Sequence, residues 1–170
     1  VTMTPQYISA ATGSTIMAAQ NWADALNLAC SAFGISTRAR KDAFLAQIGH
    51  ESGGLRWVAE IWGPTPVQRK YEGRADLGNT QPGDGSRFRG HGLIQVTGRG
   101  NHVKMRDLLR KQFPSTPDFE LDPRALEIPK WAALSAACFW ASKGLNVAAD
   151  AAQTDAQFDV ITRKINGGPN

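Results

Sequence analysis

Cysteine is scarce: Cys30 and Cys138 are the only two in 170 residues. Each sits in an apolar helical context, so both read as buried thiols, and a disulfide framework is not indicated. Long apolar runs are missing too, and no segment approaches the roughly 20 residues that a membrane-spanning helix needs. Val1 to Ala11 has neither the basic start nor the apolar stretch of a secretory signal, which points to synthesis and folding in the cytoplasm. The three histidines, His50, His91 and His102, fall in separate segments, and none follows His50-Glu51 at helical spacing, so no catalytic metal and no cofactor is expected. Internal repeats and low-complexity tracts are absent.

What is present is ordinary for a globular protein: 42% apolar and 20% charged residues over a length that suits one domain, residues 1–170. The formal net charge of +4 suits an anionic partner such as nucleic acid, a membrane surface or an acidic wall polymer, and equally suits a merely soluble basic surface. The basic groups Arg38-Arg40-Lys41 and Lys104-Arg106-Arg110-Lys111 lie on helix faces without aromatic interleaving, which argues against nucleic acid.

Helical patterning dominates both ends of the chain. Thr4-Pro5 caps and starts a first helix that Gly13 closes. A second carries Trp22, Leu26, Ala29 and Phe33 on one face and stops at Gly34. Ser36 or Thr37 caps a third, with Phe44 and Ile48 inward, until Gly53-Gly54 breaks it. Helical pattern resumes near Asn101, and Pro129 starts a helix from Trp131 to Trp140 that is apolar nearly all round and therefore central. A last helix, capped by Thr154, is predicted to place Phe158, Ile161 and Ile165 on one side.

Between these helices the composition changes. Twelve of the seventeen glycines lie between Gly49 and Gly100, where loops rather than core patterning dominate. Short β segments at Leu55–Ile61 and Leu93–Val96 predict a small hairpin. Two carboxylates flank the first glycine break. Glu51 falls in the last turn of the third helix, where the negative end of the helix dipole disfavours an ionised carboxylate. Glu60 lies beyond the break, on a polar loop with Arg56, Arg69 and Arg74 nearby. A protonated acid paired with an ionised base is what hydrolysis of a glycosidic bond requires, although the spacing alone equally describes two surface acids. Trp57 and Trp62, close to Glu60, suit stacking on sugar rings or simple core packing.

Three stretches carry a resemblance: Phe44-Leu45-Ala46-Gln47-Ile48-Gly49-His50-Glu51-Ser52-Gly53-Gly54, the segment from Tyr71-Glu72-Gly73-Arg74 to Gly83-Asp84-Gly85, and Arg87-Phe88-Arg89-Gly90-His91-Gly92-Leu93-Ile94-Gln95-Val96-Thr97-Gly98-Arg99. With the closing Ile165-Asn166-Gly167-Gly168, they resemble glycoside hydrolase family 19. Within it the likeness is greater to the lysozyme-type endolysins of phages that infect Gram-negative bacteria than to plant chitinases.

That resemblance implies a mainly α, lysozyme-like α+β domain with a small β hairpin beside the catalytic cleft. It implies Glu51 as general acid, Glu60 as general base, and Thr97 as the hydroxyl that holds the attacking water. Gln95, Asn101 and Asn166 match positions lining the sugar cleft, with Tyr71 and Arg74 beside them. Amides, a hydroxyl and a phenol suit sugar hydroxyls and N-acetyl groups. The family inverts the anomeric centre, which requires carboxyls roughly 6.5–9.5 Å apart. The implied activity is cleavage of the β-1,4 bonds of peptidoglycan glycan strands by a monomer without stable membrane insertion, made in the host cytoplasm and acting in the periplasm after membrane permeabilisation. A chitinase, or a wall-binding module without activity, are the alternatives. The chain departs from the family at His91, where members commonly carry a basic residue, and in the loop after Glu60, which is shorter than in plant chitinases.

Overall fold

The computed structural model describes residues 1–152 and 154–166, with the side chain of Asn166 left out. Its helices are α1 Pro5–Thr12, α2 Ile16–Ala32, α3 Arg38–Glu51, α4 Pro66–Arg69, α5 Asp84–Arg87, α6 Arg99–Arg110, α7 Pro129–Ser142, α8 Leu145–Ala151 and α9 Asp155–Asn166, with 3-10 turns at Ala75–Leu77 and Pro123–Glu127. The protein is mainly α. No helix among the described residues is long and apolar enough to cross a membrane.

The helix starts follow from local chemistry. The hydroxyls of Thr4, Thr15, Thr37 and Thr65 each accept from a backbone N–H in the first turn of α1, α2, α3 and α4. Pro129 opens α7, in which Trp131 to Cys138 and Trp140 are all buried. Such a helix has no solvent face over most of its length, and α2, α3, α6 and α8 pack around it. Trp22, Leu26 and Ala29 of α2, with Phe44 and Ile48 of α3, complete this core, and Phe44 meets Trp140 edge to face at 5.6 Å. Cys30 and Cys138 are buried free thiols; burial pushes Cys30 up to about 12.

One glycine sets how α3 enters the core. A Cβ on Gly49 would lie 2.4 Å from the carbonyl oxygen of Thr12, so α3 and the end of α1 touch backbone to backbone there. Any larger residue would force them apart, and the end of α3 carries Glu51.

Two expectations need correction. The β hairpin is not seen among the described residues: its place is taken by isolated antiparallel bridges joining Ala59 to His91 and His91 to Val96. The reason is local, because Gln95 at φ 55° breaks the Leu93–Val96 run from within and Leu55 at φ 63° takes the first residue out of the other run. Helix α8 lies where no separate helix is predicted, between the turn at Gly144 and the start of α9. On the side of α9 that carries Phe158 and Ile161, Ile161 is buried and Phe158 is 42% exposed.

Candidate active site

Glu51 is the last residue of α3, and the turn after it is held by Ser52. The Ser52 side chain is fully buried; its hydroxyl donates to the Ile48 carbonyl and accepts from the Leu55 N–H at 2.8 Å. Gly53 and Gly54, at φ 60° and 74°, then reverse the chain. Glu51 itself is half-buried against an apolar wall that includes Ile48, Ile94, Phe139 and Ile165. No described residue hydrogen-bonds its carboxyl.

Glu60 has the opposite surroundings. One carboxylate oxygen accepts from the Gln68 amide at 3.0 Å and from the Tyr71 hydroxyl at 3.3 Å, and the other accepts from the Gly90 N–H at 3.0 Å. The Glu60 N–H in turn donates to the Gly90 carbonyl at 2.8 Å. An ionised carboxylate, which can only accept, satisfies all three donors. Tyr71 is raised above the ordinary phenol range by burial first and by the Glu60 carboxylate second, so its hydroxyl keeps its proton and donates. The arginines nearby in sequence do not pair with Glu60: Arg74 forks onto Asp76 at the surface, and Arg56 lies over the Trp57 ring at 4.8 Å.

Gln95, Thr97 and Asn101 come together on one cleft of about 510 Å³, walled by Ile94, Val96, Met105, Leu108, Phe139 and Ile165. Ile94, Phe139 and Ile165 also border Glu51, so the acid adjoins this cleft through shared walls. Glu60 reaches the same region through Gly90. A Cβ on Gly90 would lie 2.6 Å from the Gln95 side-chain oxygen, so Gly90 is squeezed between the Gln95 amide and the carboxylate of Glu60. Gln95 holds an uncommon left-handed backbone while its amide donates to the Gly92 carbonyl at 2.9 Å. The Thr97 hydroxyl donates to the Gln95 carbonyl at 2.9 Å, and the Asn101 amide donates to the Thr97 carbonyl at 2.8 Å. Tyr71 therefore joins the Glu60 cluster, Arg74 stays outside the cleft, and the side chain of Asn166 lies outside the described residues. Among the described residues no group of three His, Cys, Asp or Glu side chains is placed to hold a metal ion.

With this geometry in view, comparison with known proteins is informative. No family model matches the chain. A Haemophilus influenzae protein named as a glycosyl hydrolase family 19 domain-containing protein is 28% identical over 165 residues, covering 81% of this chain and 75% of the relative. The likeness is to a glycosyl hydrolase. That relative carries the name of the family that the Glu51, Gly90 and Thr97 segments resemble.

Several residues that hold the site are not among the acid, base and cleft positions that the resemblance implies. Gln68, only 5% exposed, ties Glu60 to its loop: its amide donates to Glu60 and to the Ile61 carbonyl, while its oxygen accepts from the Gly63 and Thr65 N–H groups. The signal for it is the Thr65-Pro66-Val67-Gln68 capping box. Buried Asn79 donates to the Tyr71 carbonyl and accepts from the Arg99 N–H, pinning the Tyr71 loop to the start of α6. Arg99 forks onto Asp84 at 2.7 and 2.8 Å and holds Asp84 below the usual carboxylate range.

His91, at the position where family members carry a basic residue, is fully buried and lies 3.0 Å from His102 between ring nitrogens. His102 Nδ1 sits 2.8 Å from the Gly98 carbonyl, which as a pure acceptor fixes the proton on that nitrogen. His91 Nδ1 is then the donor to His102, and His91 Nε2 has no hydrogen-bond partner among the described residues, with Glu127 at 3.7 Å. Burial first and the neighbouring ring second push His91 down to about 3; burial pushes His102 down to about 4. At neutral pH the pair is uncharged beneath the segment that carries Gly90 and Gln95.

Proposed function

We propose that this chain is an inverting glycoside hydrolase that cuts the β-1,4 bond between N-acetylmuramic acid and N-acetylglucosamine in peptidoglycan, with Glu51 as general acid and Glu60 as general base. The observation that carries the reading is the difference between the two carboxyls. Glu51 stands at a helix end against apolar side chains, with no hydrogen-bond donor to its carboxyl among the described residues. Glu60 is held on a polar loop by three donors, the Gln68 amide, the Tyr71 hydroxyl and the Gly90 N–H.

In this reading a glycan strand lies along the cleft, with Gln95 and Asn101 against its hydroxyl and acetamido groups. Glu51 gives its proton to the leaving glycosidic oxygen. Glu60 takes a proton from a water positioned with the Thr97 hydroxyl, and that water attacks the anomeric carbon from the opposite face. The resemblance to phage endolysins gives the setting: lysis of a Gram-negative host, the enzyme reaching the wall through a permeabilised inner membrane.

The test is digestion of purified Gram-negative sacculi by wild type and Glu51→Gln, with mass spectrometry of reduced products and proton NMR of the first-formed anomer. Muramic acid at the new reducing end in the α configuration, lost in the variant, is the expected result. Intact sacculi beside cleaved chitin oligomers would establish a chitinase instead. Sacculi cleared equally by both proteins would remove Glu51 from the chemistry.

A further inference from the structure

The described cleft walls carry charge of one sign only. Besides neutral Gln95, Thr97, Asn101 and Ser142, the polar lining residues are Lys104 and Lys143, and no Asp or Glu contributes. Both lysines are exposed. On helix α6, Arg99 pairs with Asp84 and Glu120, Arg106 pairs with Asp107, Asp118 and Glu120, and Arg110 donates to the Thr116 carbonyl, while Lys104, on the cleft side, has no carboxylate at ion-pair distance among the described residues. Among the described residues Lys143 has no carboxylate at ion-pair distance either. Its ammonium sits 5.6 Å from the ring of Phe139, which walls both the cleft and the pocket beside Glu51. A helix-end position accounts for Lys143 alone, since it follows the last turn of α7 where a cation is favoured. Lys104 lies in the middle of α6 and has no such explanation.

We propose that Lys104 and Lys143 form a cationic rim that takes carboxylates carried by the substrate, so that the cleft selects glycan strands bearing acidic stem peptides over neutral N-acetylglucosamine polymers. This deepens the peptidoglycan reading and rests on it. The division of labour is chemical: amides and a hydroxyl meet the sugar, whose groups are uncharged, and ammonium groups meet the peptide, whose free carboxylates a chitin strand lacks. Both lysines are specificity-determining residues with no part in proton transfer. Exposed ion pairs of this kind are individually weak and screened by salt, so the rim acts at low ionic strength and through both cations together.

The experiment separates binding from cleavage. Co-sedimentation with intact sacculi, and with insoluble chitin as the strand without carboxylates, is measured at low and at roughly physiological salt for four proteins: wild type, Lys104→Gln/Lys143→Gln, the Lys→Arg pair at the same positions, and Arg38→Gln/Lys130→Gln, which removes equal charge away from the cleft. The expected result is that the cleft variant loses about tenfold in affinity for peptide-bearing strands at low salt and less than twofold for chitin. The Lys→Arg pair retains wild-type preference, and the distant variant changes both substrates alike. Equal losses on both substrates in the cleft and distant variants would overturn the rim. Wild-type preference that is lost in the cleft variant, without any hydrolysis, would keep the rim and overturn the muramidase reading.

Discussion

The two sides of the site are built by different means. On the acid side, Glu51 ends a helix whose register is set by core packing, and its neighbours are apolar. On the base side, Glu60 sits on a loop that has no helix or strand to hold it and is fixed by the Gln68 and Tyr71 side chains and the Gly90 N–H, reaching across 8, 11 and 30 residues of sequence. Packing places a group and keeps it away from donors; a hydrogen-bond net places a group and stabilises its charge. The same residue type is thereby suited to two tasks.

Four changes sharpen or break that contrast. The largest effect is expected from Glu51→Gln, which removes the transferable proton while keeping shape: turnover on sacculi falls by about three orders of magnitude with an unchanged melting temperature. Glu60→Gln follows, with a fall of about two to three orders of magnitude, and the swapped amide leaves the Gly90 N–H with an acceptor but faces the Gln68 amide donor to donor. Gly49→Ala acts on the acid side through packing alone. Thermal unfolding should show a loss of about 2–3 kcal/mol, because its Cβ meets the Thr12 backbone. Gln68→Leu acts on the base side through hydrogen bonds. It should lower kcat about tenfold and cost about 1–3 kcal/mol, since buried loop N–H groups lose their acceptor.

The most gradual effect is on pH. His91 and His102 bind protons less readily in the folded chain than in the unfolded one, whose ordinary value is 6.5. Between about pH 6.5 and pH 4 the unfolded state therefore binds more protons, and stability rises with pH across that window. Acidification from pH 7 to pH 4 should lower the melting temperature, and His91→Gln, which keeps a donor toward His102, should flatten the slope. A wild-type slope equal to that of the variant would show that the buried pair contributes nothing.

The acid side was the more legible from sequence. Thr37, Phe44, Ile48 and the Gly53-Gly54 break locate α3 and its end because a helix carries its period and caps within a dozen residues. The all-apolar run from Trp131 likewise announces a central helix. The loop side was less readable, because its order comes from contacts between distant residues. Of the runs expected to pair as a hairpin, one is broken within by left-handed Gln95 and the other loses its first residue to left-handed Leu55, residue types that rarely take that conformation. Arg56, Arg69 and Arg74 lie near Glu60 in sequence, whereas neutral Gln68, Tyr71 and Gly90 hold it. Phe158 shows the limit of periodicity at a surface helix, where one apolar residue in the stripe remains outside.

The central claim is that the two carboxyls divide the roles of acid and base, and the pH dependence of kcat/KM on a soluble glycan tests it most directly. Wild type should give a bell. The residual activity of Glu60→Gln should lose the acidic limb, which reports the base, and that of Glu51→Gln should lose the alkaline limb, which reports the acid. Exchange of the two limbs between the variants would reverse the assignment, and retention of both limbs in both variants would contradict it.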